Sequence, residues 1–218
     1  MAELRTEEEQ VQALKAWWDE NGKSLLLGIA VALAAVLGWK GWQQQQATHA
    51  DNASILYQNL LDSVVGAIGP QQDEAKLATA NHLHDQLKAD YEGTAYANYA
   101  ALIMARVAVD QGELTKAVAE LDWALANQPT ESMFILATMR KARILADQGD
   151  VDKSLSLVGS LPVGGYAVSL NELKGDLFLL KGDIELARQS YQKAFDATTA
   201  NNRPVLEMKL NDLAAEGS

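Results

Sequence analysis

A chain of 218 residues with a formal net charge of −11 is a poor partner for nucleic acid, because phosphate contacts need clustered lysine and arginine. It contains no cysteine, which excludes a disulfide framework, a thiolate nucleophile, a cysteine-based zinc site and a lipidated-cysteine anchor. Few prolines and abundant alanine, leucine, glutamate, glutamine and lysine point to an all-α protein.

Near the N-terminus Leu4, Val11, Leu14 and Trp18 fall at helical spacings, and Thr6 followed by Glu9 has the form of a capping box. These residues predict a short amphipathic helix over 6–20, broken at Asn21-Gly22. The alternative is a frayed acidic tail, since so short a helix has little apolar face to bury.

From Ser24 to Trp39 there is no charge for 16 residues, a helix of about 24 Å against a hydrocarbon core of about 30 Å. Length alone leaves a buried core helix open. The flanks favour a membrane anchor. Trp17, Trp18, Trp39 and Trp42 are four of the chain's five tryptophans, and they bracket the run as interfacial residues do. Lys23 and Lys40 can reach outward to headgroups. We therefore expect a tail over 1–22, a transmembrane helix over 23–42 held in the lipid bilayer by these six residues, and one domain over 43–218. The tail holds six acidic residues and no small-residue cleavage site follows the run, so an uncleaved anchor is expected. Arg5, Lys15 and Lys23 precede it, while Lys40 follows and the next basic residue is Lys76. That bias places the tail in the cytoplasm and the domain across the membrane. Gly28 with Ala32, and Ala34 with Gly38, are small pairs four apart that permit close contact with another helix.

Residues 43–50, QQQQATHA, either continue the anchor helix or form a tether. Asp51 to Val65 reads as a helix with Ile55, Leu56, Leu60, Leu61 and Val64 on one face, stopped by Gly66 and Gly69-Pro70. Gln72 to Tyr91 reads as a second helix, ended by Gly93.

Beyond this the chain repeats. Gly112, Gly149 and Gly182 each sit in a short turn, followed by an acidic residue and a second helix. Their separations, 37 and 33 residues, lie close to the tetratricopeptide period of about 34. Seven residues before each glycine stand Ala105, Ala142 and Gly175; five after it stand Ala117, Ser154 and Ala187. Nine after it come Leu121, Val158 and Tyr191, and twelve after it Ala124, Leu161 and Ala194. The middle unit is degenerate, its second helix cut short by Pro162 and the loop Val163-Gly164-Gly165. Pro204 to Ala214 reads as a terminal helix covering the last apolar face. The fold expected is an all-α tetratricopeptide-like solenoid behind one transmembrane helix.

The N-terminal EEEQVQALKAWWDENGK, the short anchor and GWKGWQ, followed by these repeats, resemble the YfgM-like family, the ancillary subunits of the bacterial SecYEG translocon. The resemblance covers nearly the whole chain. It implies a single-pass inner-membrane protein with a cytoplasmic tail and a periplasmic domain. It also implies association with the translocon and with a PpiD-like periplasmic chaperone, and a part in passing unfolded secretory clients onward.

No catalytic constellation stands out. His82 and His84 lie two apart, about 200° around a helix, and read as exposed polar residues with His49. There is no nucleophile elbow, phosphate-cradling loop or HExxH. Glu113, Asp150 and Asp183 read as caps of the second helices. A solenoid offers a concave face instead. In the usual tetratricopeptide register that groove takes Tyr99, Leu102, Arg106 and Val109 from the first unit, Leu136, Met139 and Arg143 from the second, and Ser169, Glu172, Asp176 and Leu179 from the third. Arg106 and Arg143 are equivalent positions suited to a carboxylate or backbone carbonyls, or else to pairing with Asp110 and Asp147 four residues on. The expected function is non-enzymatic protein binding with no cofactor, as a translocon accessory subunit; the alternative is an envelope scaffold that touches no clients.

Overall fold

The computed structural model describes residues 7–68, 73–198 and 203–216. The described residues are helical apart from turns: α1 (Glu7–Ala67), α2 (Glu74–Asp90), α3 (Ala95–Asp110), α4 (Leu114–Ala126), α5 (Glu131–Asp147), α6 (Val151–Gly159), α7 (Ala167–Lys181), α8 (Ile184–Asp196) and α9 (Pro204–Glu216), with one 3-10 turn at Gly164–Tyr166. The chain divides into two units, Met1–Asn52 and Ala53–Ser218.

In the first unit the helix runs without interruption through Asn21-Gly22, so the expected break there is corrected. Asn21 Nδ2 donates to the Trp17 carbonyl at 3.1 Å, and a Cβ on Gly22 would lie 3.1 Å from the Trp18 ring. One glycine costs a helix only about 1 kcal/mol, too little by itself to end one. Leu4 and Thr6 of the proposed amphipathic segment lie outside the described residues, as do Gly69-Pro70 and Gln72 farther on. The run from Leu25 to Leu37 keeps its large apolar side chains exposed, and this helix is long and apolar enough to cross a membrane. A core helix of a soluble domain would bury them. Residues 43–50 continue the helix.

The second unit is built on one repeated turn. Gly112, Gly149 and Gly182 all take left-handed backbone, with φ of 76°, 90° and 86°. Each allows the next residue to reach back five positions: Glu113 N–H to the Ala108 carbonyl at 2.8 Å, Asp150 to Leu145 at 2.8 Å, Asp183 to Phe178 at 2.9 Å. This closes the first helix of each pair and launches the second. Glu113, Asp150 and Asp183 occupy the N-cap positions of α4, α6 and α8, yet none makes a side-chain cap bond. Glu113 and Asp150 instead pair with Lys116 and Lys153 three residues on. Their contribution is charge at a helix N-terminus, the role read from the sequence, made without a side-chain capping bond. Side-chain caps are made elsewhere, by Asp73, Thr94 and Thr130.

The pairs α3–α4, α5–α6 and α7–α8 pack as antiparallel hairpins. Ala105, Ala142 and Gly175 on the first helices and Ala117, Ser154 and Ala187 on the second are all buried in the packed hairpins. The Ser154 hydroxyl donates across the α5–α6 hairpin to the Ala142 carbonyl at 2.8 Å. Leu121, Val158 and Tyr191 are fully buried; each contributes about 1.5–3 kcal/mol through removal of apolar surface from water. The core is a series of clusters shared by neighbours: α1, α2 and α3 around Leu60, Leu87 and Met104; α3, α4 and α5 around Leu121; α5, α6 and α7 around Val158 and Leu173; then Tyr191 with Leu206 and Leu213 of α9. Nearest-neighbour packing of this kind defines a helical solenoid, with α2 ahead of the repeats and α9 closing them.

Candidate binding groove

The first helices of the repeats, α3 and α5, frame two adjoining concavities in the second unit. One, of about 300 Å³, is lined by Tyr57, Tyr99, Leu102, Leu136, Arg140 and Tyr166. The other, of about 340 Å³, is lined by Arg106, Val109, Leu121, Arg140, Arg143 and Asp147, among others. Arg140 belongs to both.

The aromatic side chains of the first concavity come from three elements. Tyr57 comes from α1, Tyr99 from α3, and Tyr166 from the 3-10 turn that follows the short α6. The rings of Tyr57 and Tyr99 lie 6.1 Å apart at 45°, a tilted packing that exposes edges and faces to a ligand. Burial, and then proximity to Tyr99, hold the Tyr57 hydroxyl above its ordinary pKa, so it stays a neutral donor. Tyr99 and Leu136 remain 43% and 38% exposed, enough for contact with a partner.

The second concavity is basic. Arg106 Nε donates to Asp110 Oδ1 at 2.8 Å, which is the i+4 pairing anticipated for it. Arg143 forms no such pair with Asp147 among the described residues, although both line the cavity. Arg140 is half-buried and donates from Nη1 to the Leu102 carbonyl at 3.4 Å. Burial first, then the neighbouring charges of Arg106 and Arg143, hold the Arg140 pKa below the usual arginine value.

The groove positions expected from the repeat register therefore divide. Tyr99, Leu102 and Leu136 share one cavity, and Arg106, Val109 and Arg143 the other. Met139 is buried, in the cluster that α5 shares with α6 and α7. Leu179 and Ser169 are exposed and line neither concavity. Glu172 and Asp176 are held by α9: Lys209 Nζ bonds to Glu172 Oε1 at 2.9 Å and Asp176 Oδ1 at 2.7 Å. Burial works against the Lys209 charge, but the two carboxylates outweigh it and keep its pKa raised. The Tyr191 hydroxyl donates to the same Asp176 at 2.7 Å, and burial and that carboxylate push its pKa well up. Sequence reasoning missed Tyr57, Arg140 and Tyr166. None carries a repeat signal: Tyr57 precedes the repeats, Tyr166 lies in the loop that interrupts them, and Arg140 corresponds across 37 residues to Ile103.

His49 and His82 are exposed as expected, but His84 is not. It is 3% exposed and its Nε2 lies 2.8 Å from Glu120 Oε2 on α4, with its Nδ1 unpartnered. Lys88 donates to the same oxygen at 3.0 Å and stands 4.8 Å over the Trp123 ring. Burial raises the Glu120 pKa, but the bonds from His84 and Lys88 prevail and hold it low. This cluster ties α2 to α4 and is structural in its geometry.

Of the anchor residues, Trp39 and Trp42 pack with ring centroids 5.2 Å apart and planes tilted by 40°, and Trp17, Trp18, Lys23 and Lys40 are exposed.

A model of tetratricopeptide repeat-like domains matches residues 15–215. The chain is 30% identical to the ancillary SecYEG translocon subunit of Haemophilus influenzae, over 98% of this chain and 100% of that one. It is 30% identical to the protein of that name from Escherichia coli, over 95% and 97%. The chain belongs to this family. A more distant relative of the same name, from Neisseria gonorrhoeae, is 25% identical over 98% of this chain and 100% of its own. These matches take in the apolar N-terminal helix and the repeats together, so the family shares both units and not the repeat fold alone.

Proposed function

We propose that this chain is a non-catalytic, protein-binding accessory subunit of the SecYEG translocon. Residues 23–42 anchor it in the inner membrane, 1–22 face the cytoplasm, and 43–218 lie in the periplasm. There the groove receives unfolded segments of secreted proteins and passes them to a PpiD-like chaperone. The observation that carries this reading is the end-to-end match to relatives bearing the translocon name, anchor included. An open concavity edged by exposed Tyr99 and Leu136 suits transient contact with extended chains. Tethering beside the export channel raises the effective concentration of such a weak binder without any added contact.

A photocrosslinking amino acid placed at Leu136 or Tyr99 of the full-length protein tests it. During export the probe should capture nascent secretory chains as well as the chaperone. Capture of folded membrane partners alone would make the chain an envelope scaffold and overturn the client-binding part of this reading.

A further inference from the structure

The concave face holds positive charge that the protein itself leaves uncompensated, in a chain whose net charge is −11. Elsewhere in the domain Lys88, Lys141, Lys181 and Lys209 each bond to a carboxylate. In the groove only Arg106 does so, with Asp110. Arg140 meets a backbone carbonyl, and Arg143 has no ion pair among the described residues. Asp147 lines the same cavity and bonds to neither. Three guanidinium groups near one another, one of them half-buried, repel, and an incoming anion relieves that repulsion. The depressed pKa of Arg140 has that origin in part.

Position adds a second constraint. Arg140 lines the basic cavity and also the aromatic one beside it. A ligand filling both needs a carboxylate and an apolar group on one chain at short separation. Alternate side chains of an extended polypeptide supply that pairing, since residues two apart face the same side. The planar fork of arginine takes a carboxylate through two parallel bonds, and its faces stack on aromatic rings.

We propose that Arg140 and Arg143, supported by Arg106, bind the side-chain carboxylate of an aspartate or glutamate in an extended polypeptide, whose neighbouring apolar or aromatic side chain enters the cavity of Tyr99, Leu136 and Tyr166. The groove selects acidic–apolar segments over apolar ones. This rests on the protein-binding reading above and gives it a sequence preference.

The test uses the full-length protein in nanodiscs and fluorescein-labelled synthetic peptides with blocked ends. One peptide carries Phe-Gly-Asp in a Gly-Ser frame, a second replaces the Asp by Asn, and a third has the Asn with a free C-terminal carboxylate. The Asp peptide should bind roughly tenfold more tightly than the Asn peptide, the difference one charge-assisted bond makes. Arg143→Gln should erase most of that preference. Its side chain is exposed, so the fold survives, and circular dichroism verifies it. Arg140→Lys keeps the charge but loses the fork, and should weaken the Asp peptide more than the Asn peptide. Equal binding of the Asp and Asn peptides, no binding of either, an unchanged preference in the Arg106→Gln/Arg143→Gln double variant, or equal binding of the free-terminus peptide would each overturn the proposal. Loss of crosslinks to exported chains in cells with the peptide preference intact would remove the translocon reading and leave this one standing.

Discussion

The Tyr191 ring occupies the space where a side chain on Gly175 would begin: a Cβ there would come within 2.3 Å of the ring. The two residues trade volume across the α7–α8 hairpin. At the same pair of positions the first repeat has Ala105 with Leu121 and the second Ala142 with Val158. The third takes a larger residue on one helix and gives up the methyl on the other. Gly175→Ala should lower stability by about 1–3 kcal/mol through overpacking. Adding Tyr191→Leu should recover part of that loss, despite removing the 2.7 Å bond to Asp176. Denaturant unfolding of the four proteins in a double-mutant cycle measures the coupling. Purely additive losses would mean that the ring is not what keeps position 175 small.

The second prediction concerns acid. Glu120 is held below its ordinary pKa by His84 and Lys88 against the opposing effect of burial. A carboxyl whose folded pKa is depressed contributes stability above its unfolded value, and that contribution is lost as pH falls through the folded value. Thermal stability should therefore decline below roughly pH 5. Glu120→Gln should cost about 1–3 kcal/mol near neutrality and flatten part of the acid decline. Parallel melting curves of the two proteins from neutral to acidic pH check both effects. An acid slope unchanged by the substitution would assign the decline to other carboxylates.

Much of the fold was legible because a few backbone requirements are local. A left-handed turn asks for glycine, close helices ask for small residues, and both recur at fixed offsets from Gly112, Gly149 and Gly182. What escaped depends on distant partners. His84 looks like a surface histidine until Glu120, 36 residues away, is placed beside it. Arg140 stands where the first repeat has Ile103, so no periodicity marks it as part of a polar site. Met139 falls at a groove position in the repeat register but packs into the cluster of α5, α6 and α7. Asn21-Gly22 has the form of a stop signal, but a single glycine costs a helix only about 1 kcal/mol and the helix runs through it. Glu172 and Asp176 sit at groove positions too, and only the placement of α9 reveals that Lys209 holds them.

That last relationship yields a third prediction. Among the described residues, Lys209 is the one polar link from α9 to carboxylates of α7, beside the apolar contacts of Leu206 and Leu213. Lys209→Gln should weaken the docking of α9 by about 1 kcal/mol, since the pair is partly exposed and solvent screens it. Solenoid energetics are nearest-neighbour, so the effect should stay at that end. Hydrogen exchange should quicken in α9 and the adjoining turns of α7 and α8, with α3 to α5 unchanged. Faster exchange throughout the domain would show instead that the repeats unfold as a single unit.

The orientation of the chain offers the final prediction, and the composition makes it clean to test. Arg5, Lys15 and Lys23 lie before the apolar run, whereas Lys40 is the only basic residue between the run and Lys76. Basic residues near a span are retained on the cytoplasmic side, while acidic ones count little, so the six acidic residues of the tail do not reverse the bias. Because the chain has no cysteine, one introduced thiol reports on one position. Ala13 and Gln148 are both exposed, one before the apolar run and one in the turn after α5. In intact spheroplasts a membrane-impermeant maleimide should label Gln148→Cys at once. Ala13→Cys should react only after the membrane is opened. The reverse pattern would place the repeat domain in the cytoplasm and separate the groove from any exported chain, removing the client-binding function proposed for it.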